Sequence, residues 1–182
     1  MIADEVITGF GRTGNWFGSQ TFGVVPDMIT FAKGATSGYQ PLSGVIVSAE
    51  ICENLSEPGF MLRTGYTYSG HPTAAAACVK NLEIMTEEGL VERSVHVGEK
   101  LYEGLEALAA DGLISSHRGG GAVRAAVLDR PSMGVRNEML RRGVVVRPIN
   151  NVLAMCPPLV ITDDEIGRII DTMAEALRAV PE

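Results

Sequence analysis

Lysine is the side chain best suited to forming a covalent bond with a carbonyl compound, and the chain contains only three lysines. Lys80 and Lys100 fall among polar residues of predicted helices and are expected to reach solvent. Lys33 instead ends the apolar run formed by residues 28–32 and is followed by Gly34. Burial at such a strand end favours the neutral amine, which is a nucleophile. Lys33 is therefore a candidate for forming a Schiff base, and the alternative is a lysine whose amine simply extends from the strand into water.

Two acidic residues, Asp4 and Glu5, lie within the first apolar run, residues 2–7. At least one of these side chains must therefore face inward or lie at the end of the strand. A buried carboxylate needs a cationic or hydrogen-bond-donating partner, and a protonated pyridine nitrogen is one such partner. The alternative is that both carboxylates are solvated at the edge of a sheet.

The segment that follows, residues 9–14, reads GFGRTG and matches the pattern GxGxxG. A dinucleotide-binding fingerprint also requires a helix directly after the glycines and an acidic residue at the end of the second strand. Here no helical pattern follows, and Asp27 precedes the second strand. The segment is therefore interpreted as an ordered loop rather than as a nicotinamide-binding turn.

The overall charge excludes some classes of partner. The 182 residues include 22 acidic and 15 basic side chains, so the formal net charge is -7. This balance lacks the basic surface typical of proteins that bind nucleic acids or anionic membranes. No apolar run is long enough to span a membrane, and the first residues do not resemble a signal peptide, which predicts a cytoplasmic protein.

The spacing of the cysteines and histidines predicts no metal site. Cys52, Cys78 and Cys156 fit neither a disulfide framework nor a CxxC pair, and we expect three buried thiols. His96 and His117 have no ligand spacing to each other or to Cys78, so both are interpreted as structural or surface residues.

The periodicity of apolar residues predicts an α/β fold in two parts. Residues 1–111 are expected to form part of a large domain with a mostly parallel sheet, and residues 112–182 a small α+β domain. In the first part the predicted strands are 2–7, 28–32 and 44–48, and the predicted helices are 72–87 and 90–110. In the second part the predicted strands are 113–116, 122–128, 144–147 and 152–155, and the predicted helices are 132–142 and 163–179. The last helix begins with a capping box, Thr162 to Glu165.

Three segments of the chain, considered together, resemble the class III aminotransferases of fold type I. They are DEVITGFGRTG at 4–14, PDMITFAKG at 26–34 and GYTYSGHP at 65–72. The resemblance continues through VRP at 146–148 and CPPL at 156–159, and is strongest to the omega-transaminase and beta-alanine:pyruvate-like branch. It begins in the middle of the family's large domain. The chain is accordingly expected to be an N-terminally truncated, C-terminal portion of a longer enzyme, without the loop that grips the cofactor phosphate.

The resemblance implies a pyridoxal 5'-phosphate site. It implies that Asp4 binds the pyridine nitrogen, that Val6 contacts the ring and that Lys33 holds the cofactor as a Schiff base. It also implies that Thr67 donates to the cofactor phosphate in the neighbouring subunit of a homodimer, and that Arg147 receives a substrate carboxylate. For His71, which lies within the matched segment, a role in holding the turn before the helix is preferred to catalysis.

The implied reaction is transfer of an amino group from an amine or amino acid to a keto acid such as pyruvate. Two alternatives stay open. The chain could be a non-catalytic remnant that keeps a dimer-forming surface, or it could belong to another fold-type-I enzyme, such as an aminomutase or a decarboxylase. In isolation the 182 residues are expected to be inactive.

Overall fold

The computed structural model describes residues 1–180. Contacts within the chain divide it into two compact units, Met1–Val91 and Glu92–Glu182. The predicted boundary between residues 111 and 112 lies later, beyond a helix that belongs almost entirely to the second unit. The assignment of these residues to a large and a small domain of the whole protein stays a prediction.

The first unit contains a three-stranded sheet in the order β1-β2-β3. The strands are β1 (Ile2–Asp4), β2 (Met28–Phe31) and β3 (Gly44–Val47). β1 and β2 are parallel, as expected, but β3 runs antiparallel to β2. The segment between β2 and β3 contains only the 3₁₀ turn Lys33–Thr36. Without a crossover helix the chain does not return to the other end of the sheet, and β3 therefore pairs in the opposite direction.

β1 is shorter than the predicted strand over residues 2–7. After Asp4 the backbone enters a series of turns, in which the Gly9 amide donates to the Glu5 carbonyl. These turns replace the expected continuation of the strand. The loop that follows contains a short helix, α1 (Gly18–Thr21), which the sequence pattern did not predict.

Three further helices begin in the first unit: α2 (Ala49–Leu55), α3 (Pro72–Glu87) and α4 (Leu90–Ala110). α2 was not predicted, whereas the bounds of α3 and α4 agree with the sequence pattern. The α3 helix starts at Pro72, where a missing backbone N–H costs nothing. His71 is its N-cap, and His71 Nδ1 accepts a hydrogen bond of 3.3 Å from the Ala74 amide. The structural role expected for His71 is thus observed.

The second unit is built on an antiparallel sheet in the order β4-β5-β7-β6. The strands are β4 (Ser116–Gly120), β5 (Val123–Val127), β6 (Arg147–Ile149) and β7 (Val152–Met155), and the helices are α5 (Met133–Arg141) and α6 (Asp163–Ala179). β4 and β6 each begin three residues later than predicted, at the last residue of the predicted range. Before β4, the Leu113 amide still closes the end of α4 by donating to the Leu108 carbonyl. The capping box at α6 is present, with Thr162 Oγ1 accepting from the Glu165 amide at 3.2 Å.

The core of the second unit lies along one face of α4. Val97, Leu101 and Leu105 are completely buried there. Val95 of the same helix is 43% exposed. In the part of the chain that the structure describes, no helix is both long and apolar enough to cross a membrane.

The prediction that the three cysteines are buried is wrong. Cys52 and Cys156 are exposed, and Cys78 is half-buried. All three are free thiols, as expected. Burial raises the pKa of the Cys78 thiol, which keeps this group protonated at neutral pH.

Candidate functional site

The candidate site lies where the parallel strands β1 and β2 end. Their register pairs Asp4 with Thr30, and Lys33 follows Thr30 by three residues. Because parallel strands end at the same edge of a sheet, Asp4 and Lys33 belong to the same edge. This is the edge at which open α/β sheets bind ligands.

Asp4 is exposed, and one of its two carboxylate oxygens is occupied by the protein itself. Asp4 Oδ1 accepts hydrogen bonds from the Val6 amide at 3.1 Å and from Thr30 Oγ1 at 3.2 Å. The first bond closes a turn directly after the strand, and the second ties β1 to β2. Asp4 Oδ2 accepts no hydrogen bond from the described residues and can therefore accept one from a ligand.

Glu5 is the acidic residue that faces inward, with only 2% of its surface exposed. Its carboxylate accepts hydrogen bonds from the Gly18 amide at 2.8 Å, from the Ser19 amide at 2.6 Å and from the Thr8 hydroxyl. Burial by itself raises the pKa of Glu5, but the bonds from Thr8, Ser19 and Gly18 outweigh burial and hold the pKa below its usual value. Glu5 is thus an ionised structural anchor for the loop.

Lys33 differs from the other two lysines in having no partner in the part of the chain that the structure describes. Lys80 Nζ pairs with Glu83 at 3.0 Å, and Lys100 Nζ pairs with Glu103 at 2.8 Å. Lys33 Nζ forms neither an ion pair nor a hydrogen bond within residues 1–180. The side chain is exposed in these residues, so the expected burial of the amine at the strand end is not observed.

The backbone at Lys33 is strained, with a φ of 38°. A non-glycine residue in this left-handed region costs about 1–2 kcal/mol. Such strain persists only when the surrounding structure holds it, and it is common at functional sites. The position of Lys33 is therefore determined by its neighbours rather than by local preference.

Two of these neighbours, Phe10 and Asn81, were not predicted from the sequence. Phe10, from the GxGxxG segment, packs on Gly34, where a Cβ atom would lie 2.9 Å from the Phe10 Cβ atom. Asn81 of α3 donates from Nδ2 to the Gly34 carbonyl at 2.9 Å. The signals in the sequence were weak: an aromatic residue among glycines, and a single amide next to Lys80 that was grouped with solvent-facing residues.

Val6 and Thr67 lie on loops of the first unit. Val6 directly follows the Asp4–Glu5 pair and is half-buried. Thr67 is exposed and follows Tyr66 in a turn closed by a 2.9 Å bond from the Ser69 amide to the Tyr66 carbonyl. The roles expected for both residues stay predictions.

Arg147 lies in the second unit, at the start of β6. It pairs in register with Ala154, is exposed and makes no ion pair among the described residues. The two other histidines have acidic partners: His96 Nε2 lies 2.9 Å from Asp163, and His117 Nε2 lies 2.7 Å from Glu106. In the described part of the chain no cluster of side chains could hold a metal ion.

Comparisons with known proteins agree with this geometry. The family model "Aminotransferase class-III" matches residues 1–177. A putrescine–pyruvate aminotransferase of Pseudomonas aeruginosa is 39% identical, over 97% of this chain and 41% of its own length. The chain therefore spans about two fifths of the length of this relative.

Solved structures give the same result. An (S)-enantioselective omega-transaminase from Thermomicrobium roseum matches 100% of this chain and 43% of its own, with a TM-score of 0.95 and 40% identity. An omega-transaminase from Pseudomonas jessenii, solved in complex with PMP, matches 98% of this chain and 43% of its own, with a TM-score of 0.90 and 35% identity. With a family model that covers nearly all of its residues, the chain belongs to the class III aminotransferases.

Proposed function

We propose that this chain provides the lysine-bearing part of a pyridoxal-phosphate-dependent transaminase, which transfers an amino group from an amine or amino acid to a keto acid such as pyruvate. The observation that carries the proposal is the placement of Asp4 and the unpaired Lys33 at one edge of two adjacent parallel strands. The relative named for putrescine and pyruvate supports this class of substrates.

The residues at this edge fit the cofactor. Asp4 Oδ2 is a carboxylate acceptor to which no described residue donates, as a protonated pyridine nitrogen requires. Lys33 Nζ has no counter-ion among residues 1–180, so no carboxylate from this part of the chain has to be displaced before it reacts. Bound pyridoxal phosphate supplies a carbonyl for the amino group and a ring that withdraws electrons from the substrate carbon.

Each residue then has a defined task. Asp4 holds the proton on the pyridine nitrogen, and Val6 contacts the ring. Lys33 binds the cofactor covalently and, once released, carries a proton on Nζ to and from the substrate carbon. Thr67 donates to the cofactor phosphate of the neighbouring subunit in a homodimer. Arg147 binds a substrate carboxylate, since its planar guanidinium matches the two oxygens.

A cytoplasmic location is part of this proposal. Two other functions are tested alongside this one. A non-catalytic dimerisation module is favoured by the exposure of Asp4 and Lys33 within these residues. Another pyridoxal phosphate enzyme, such as an aminomutase or decarboxylase, would use the same aspartate and lysine.

The decisive experiment uses a full-length class III aminotransferase that carries this chain. Borohydride reduction should fix the cofactor on the peptide containing Lys33. Lys33→Ala should abolish this label and reduce turnover at least about 10²–10⁴-fold, the effect of losing a positioned proton carrier. The matched controls Lys80→Ala and Lys100→Ala remove lysines that each pair with a glutamate, and they should leave both measurements unchanged.

Three outcomes separate the alternatives. Absence of any visible absorption by bound cofactor would identify a non-catalytic module. Cofactor binding without formation of alanine from pyruvate and an amine donor would indicate another reaction class. A label on Lys80 or Lys100 would show that the site is assigned wrongly.

A further inference from the structure

The backbone turn that follows Lys33 is held by one side chain of α3. Asn81 Nδ2 donates to two consecutive carbonyl oxygens, those of Gly34 at 2.9 Å and Ala35 at 3.2 Å. Asn81 is half-buried, and Ala35 is completely buried. The Gly34 carbonyl also accepts the Ser37 amide at 3.3 Å, whereas the Ala35 carbonyl accepts no backbone amide among the described residues, so the Asn81 side chain supplies the donor that this buried carbonyl needs.

Packing against aromatic side chains also restricts this turn. Gly34 packs so closely on Phe10 that an added Cβ atom would lie 2.9 Å from the Phe10 Cβ atom. Phe10 is itself fixed by ring contacts, with centroids 5.6 Å from Phe17 and 5.9 Å from Phe31. The turn is thus packed by an aromatic cluster and hydrogen-bonded by α3.

These contacts explain how the strained backbone of Lys33 persists. The left-handed φ of 38° is unfavourable for a lysine, so the turn relaxes unless the residues after it are held. Asn81 holds the two residues directly after Lys33. The direction in which the lysine leaves the sheet edge therefore depends on an amide that lies 48 residues away in the sequence.

We propose that Asn81 is a positioning residue for Lys33: its amide fixes the Gly34–Ala35 backbone and thereby aims the Lys33 amine at the sheet edge that also bears Asp4. This inference rests on the proposed function of Lys33. It assigns no contact between Asn81 and the substrate or cofactor. Its consequence is that loss of the Asn81 amide reduces covalent attachment of the cofactor to Lys33, while the cofactor still binds noncovalently.

The test compares two variants in a full-length class III aminotransferase that carries this chain. Asn81→Asp replaces the amide donor by an acceptor of the same size, and Asn81→Leu replaces it by an apolar side chain. The neutral Leu variant is included because a carboxylate facing two carbonyls can disrupt the turn outright. The matched controls are Asn151→Asp and Asn151→Leu, since Asn151 Nδ2 also donates to a backbone carbonyl, that of Leu128 at 2.8 Å.

The first measurement is hydrogen exchange of the Ala35 and Ser37 amides in cofactor-free protein. These amides donate to the Ala32 and Gly34 carbonyls within the turn. Both Asn81 variants should speed their exchange about tenfold, as expected for the loss of one hydrogen bond of typical net strength. The Asn151 variants should not change it.

The second measurement is the fraction of bound cofactor that borohydride fixes on Lys33. The Asn81 variants should still bind the cofactor but fix about tenfold less of it, again the effect of one lost hydrogen bond. If both measurements stay at the wild-type values, or change equally in the Asn151 variants, the inference is overturned. If the wild-type protein itself fixes no cofactor on Lys33, the proposed function fails instead.

Discussion

Asp4 and Glu5 are adjacent in the sequence, yet the fold gives them opposite environments. Asp4 is the last residue of β1 and is exposed, whereas Glu5 is the first residue of the loop and turns inward. Glu5 then satisfies two backbone amides of α1 and the Thr8 hydroxyl. The buried acid fixes the end of β1, and this leaves Asp4 free to act as an acceptor.

Glu5→Gln is expected to lower the free energy of unfolding by about 1–3 kcal/mol at pH 7, the cost of disrupting buried bonds to a charged group. Because the folded-state pKa of Glu5 lies below its usual value of 4.5, its stabilisation is complete above that value. The stabilisation is lost as the pH falls through the folded-state pKa. Urea unfolding of dilute chain, followed by the fluorescence of Trp16, should show the difference shrinking under acid conditions.

The exposed Glu57 offers a control for this prediction. Glu57→Gln should not change the free energy of unfolding at pH 7 or under acid conditions. A Glu5→Gln defect that stayed constant from neutral to acid pH would show that the charge of Glu5 is not responsible.

Arg147→Ala is expected to affect only substrates that carry a carboxylate. In the full-length enzyme, kcat/KM for keto acids and amino acids should fall about 10- to 100-fold, the loss of one charge-assisted pair. Simple amines and aldehydes should react as before. Arg118→Ala is the matched control, because Arg118 is also an exposed strand arginine without an ion pair in the described residues. Equal losses for both substrate classes would make Arg147 a structural residue.

Among the secondary-structure elements of the second unit, α4 and α6 each bury several apolar side chains. α4 buries Val97, Leu101 and Leu105, and α6 buries Met173 and Leu177. The start of α6 is joined to α4 by Asp163, which accepts from Arg93 at 3.0 Å and lies 2.9 Å from His96. The pKa of Asp163 is held below its usual value by His96 and then by Arg93.

α4 also approaches a backbone so closely that one position requires glycine. A Cβ atom on Gly98 would overlap the Gly121 carbonyl oxygen, whereas a Cβ atom on Gly167 of α6 would meet nothing within 4 Å. Gly98→Ala should therefore destabilise the chain by about 1–3 kcal/mol through overpacking. Gly167→Ala should stabilise it by about 0.5–1 kcal/mol, because a helix favours alanine over glycine.

Chemical denaturation followed by circular dichroism measures both changes. The two substitutions are chemically identical and both lie within helices, so helix propensity cancels in their comparison. If Gly98→Ala and Gly167→Ala changed the free energy of unfolding in the same direction, the close approach of α4 to Gly121 would be contradicted.

On the scale of the whole molecule, the chain exposes an unusual number of large apolar side chains. Tyr66 is 85% exposed and Tyr68 83%, and both lie in a segment that also exposes Phe60, Met61 and Leu62. Exposed apolar patches of this kind mark surfaces that bind other chains. β1, which carries the 65% exposed Ile2, is moreover an edge strand of its sheet.

The 182 residues alone are therefore expected to form dimers or larger oligomers and to show negligible transaminase turnover. Light scattering after size-exclusion chromatography should give a mass that rises with concentration. Leu62→Ser with Tyr66→Ser should reduce this association, whereas Val160→Ser, at an isolated exposed position of the second unit, should not. A monomer with robust turnover would overturn this expectation.

Local sequence signals determined the long helices and pointed to the candidate lysine. Pro72 and the Thr162–Glu165 box set the starts of α3 and α6 because they act within one turn of the backbone. Lys33 was found because a strand end followed by glycine is also a local feature. The apolar run around Asp4 and Glu5 likewise predicted that at least one of them faces inward or lies at the end of the strand.

Only the tertiary structure decided features that depend on distant partners. The antiparallel direction of β3 follows from pairing with β2, and the polar strand β4 exists because β5 supplies its hydrogen bonds. Glu5 rather than Asp4 is the buried acid because the amides of Gly18 and Ser19 donate to its carboxylate. Asn81 was indistinguishable from a surface residue in sequence, because its partners lie 46 and 47 residues away. Residue patterns report interactions within a few positions, whereas these contacts exist only after the chain has folded back on itself.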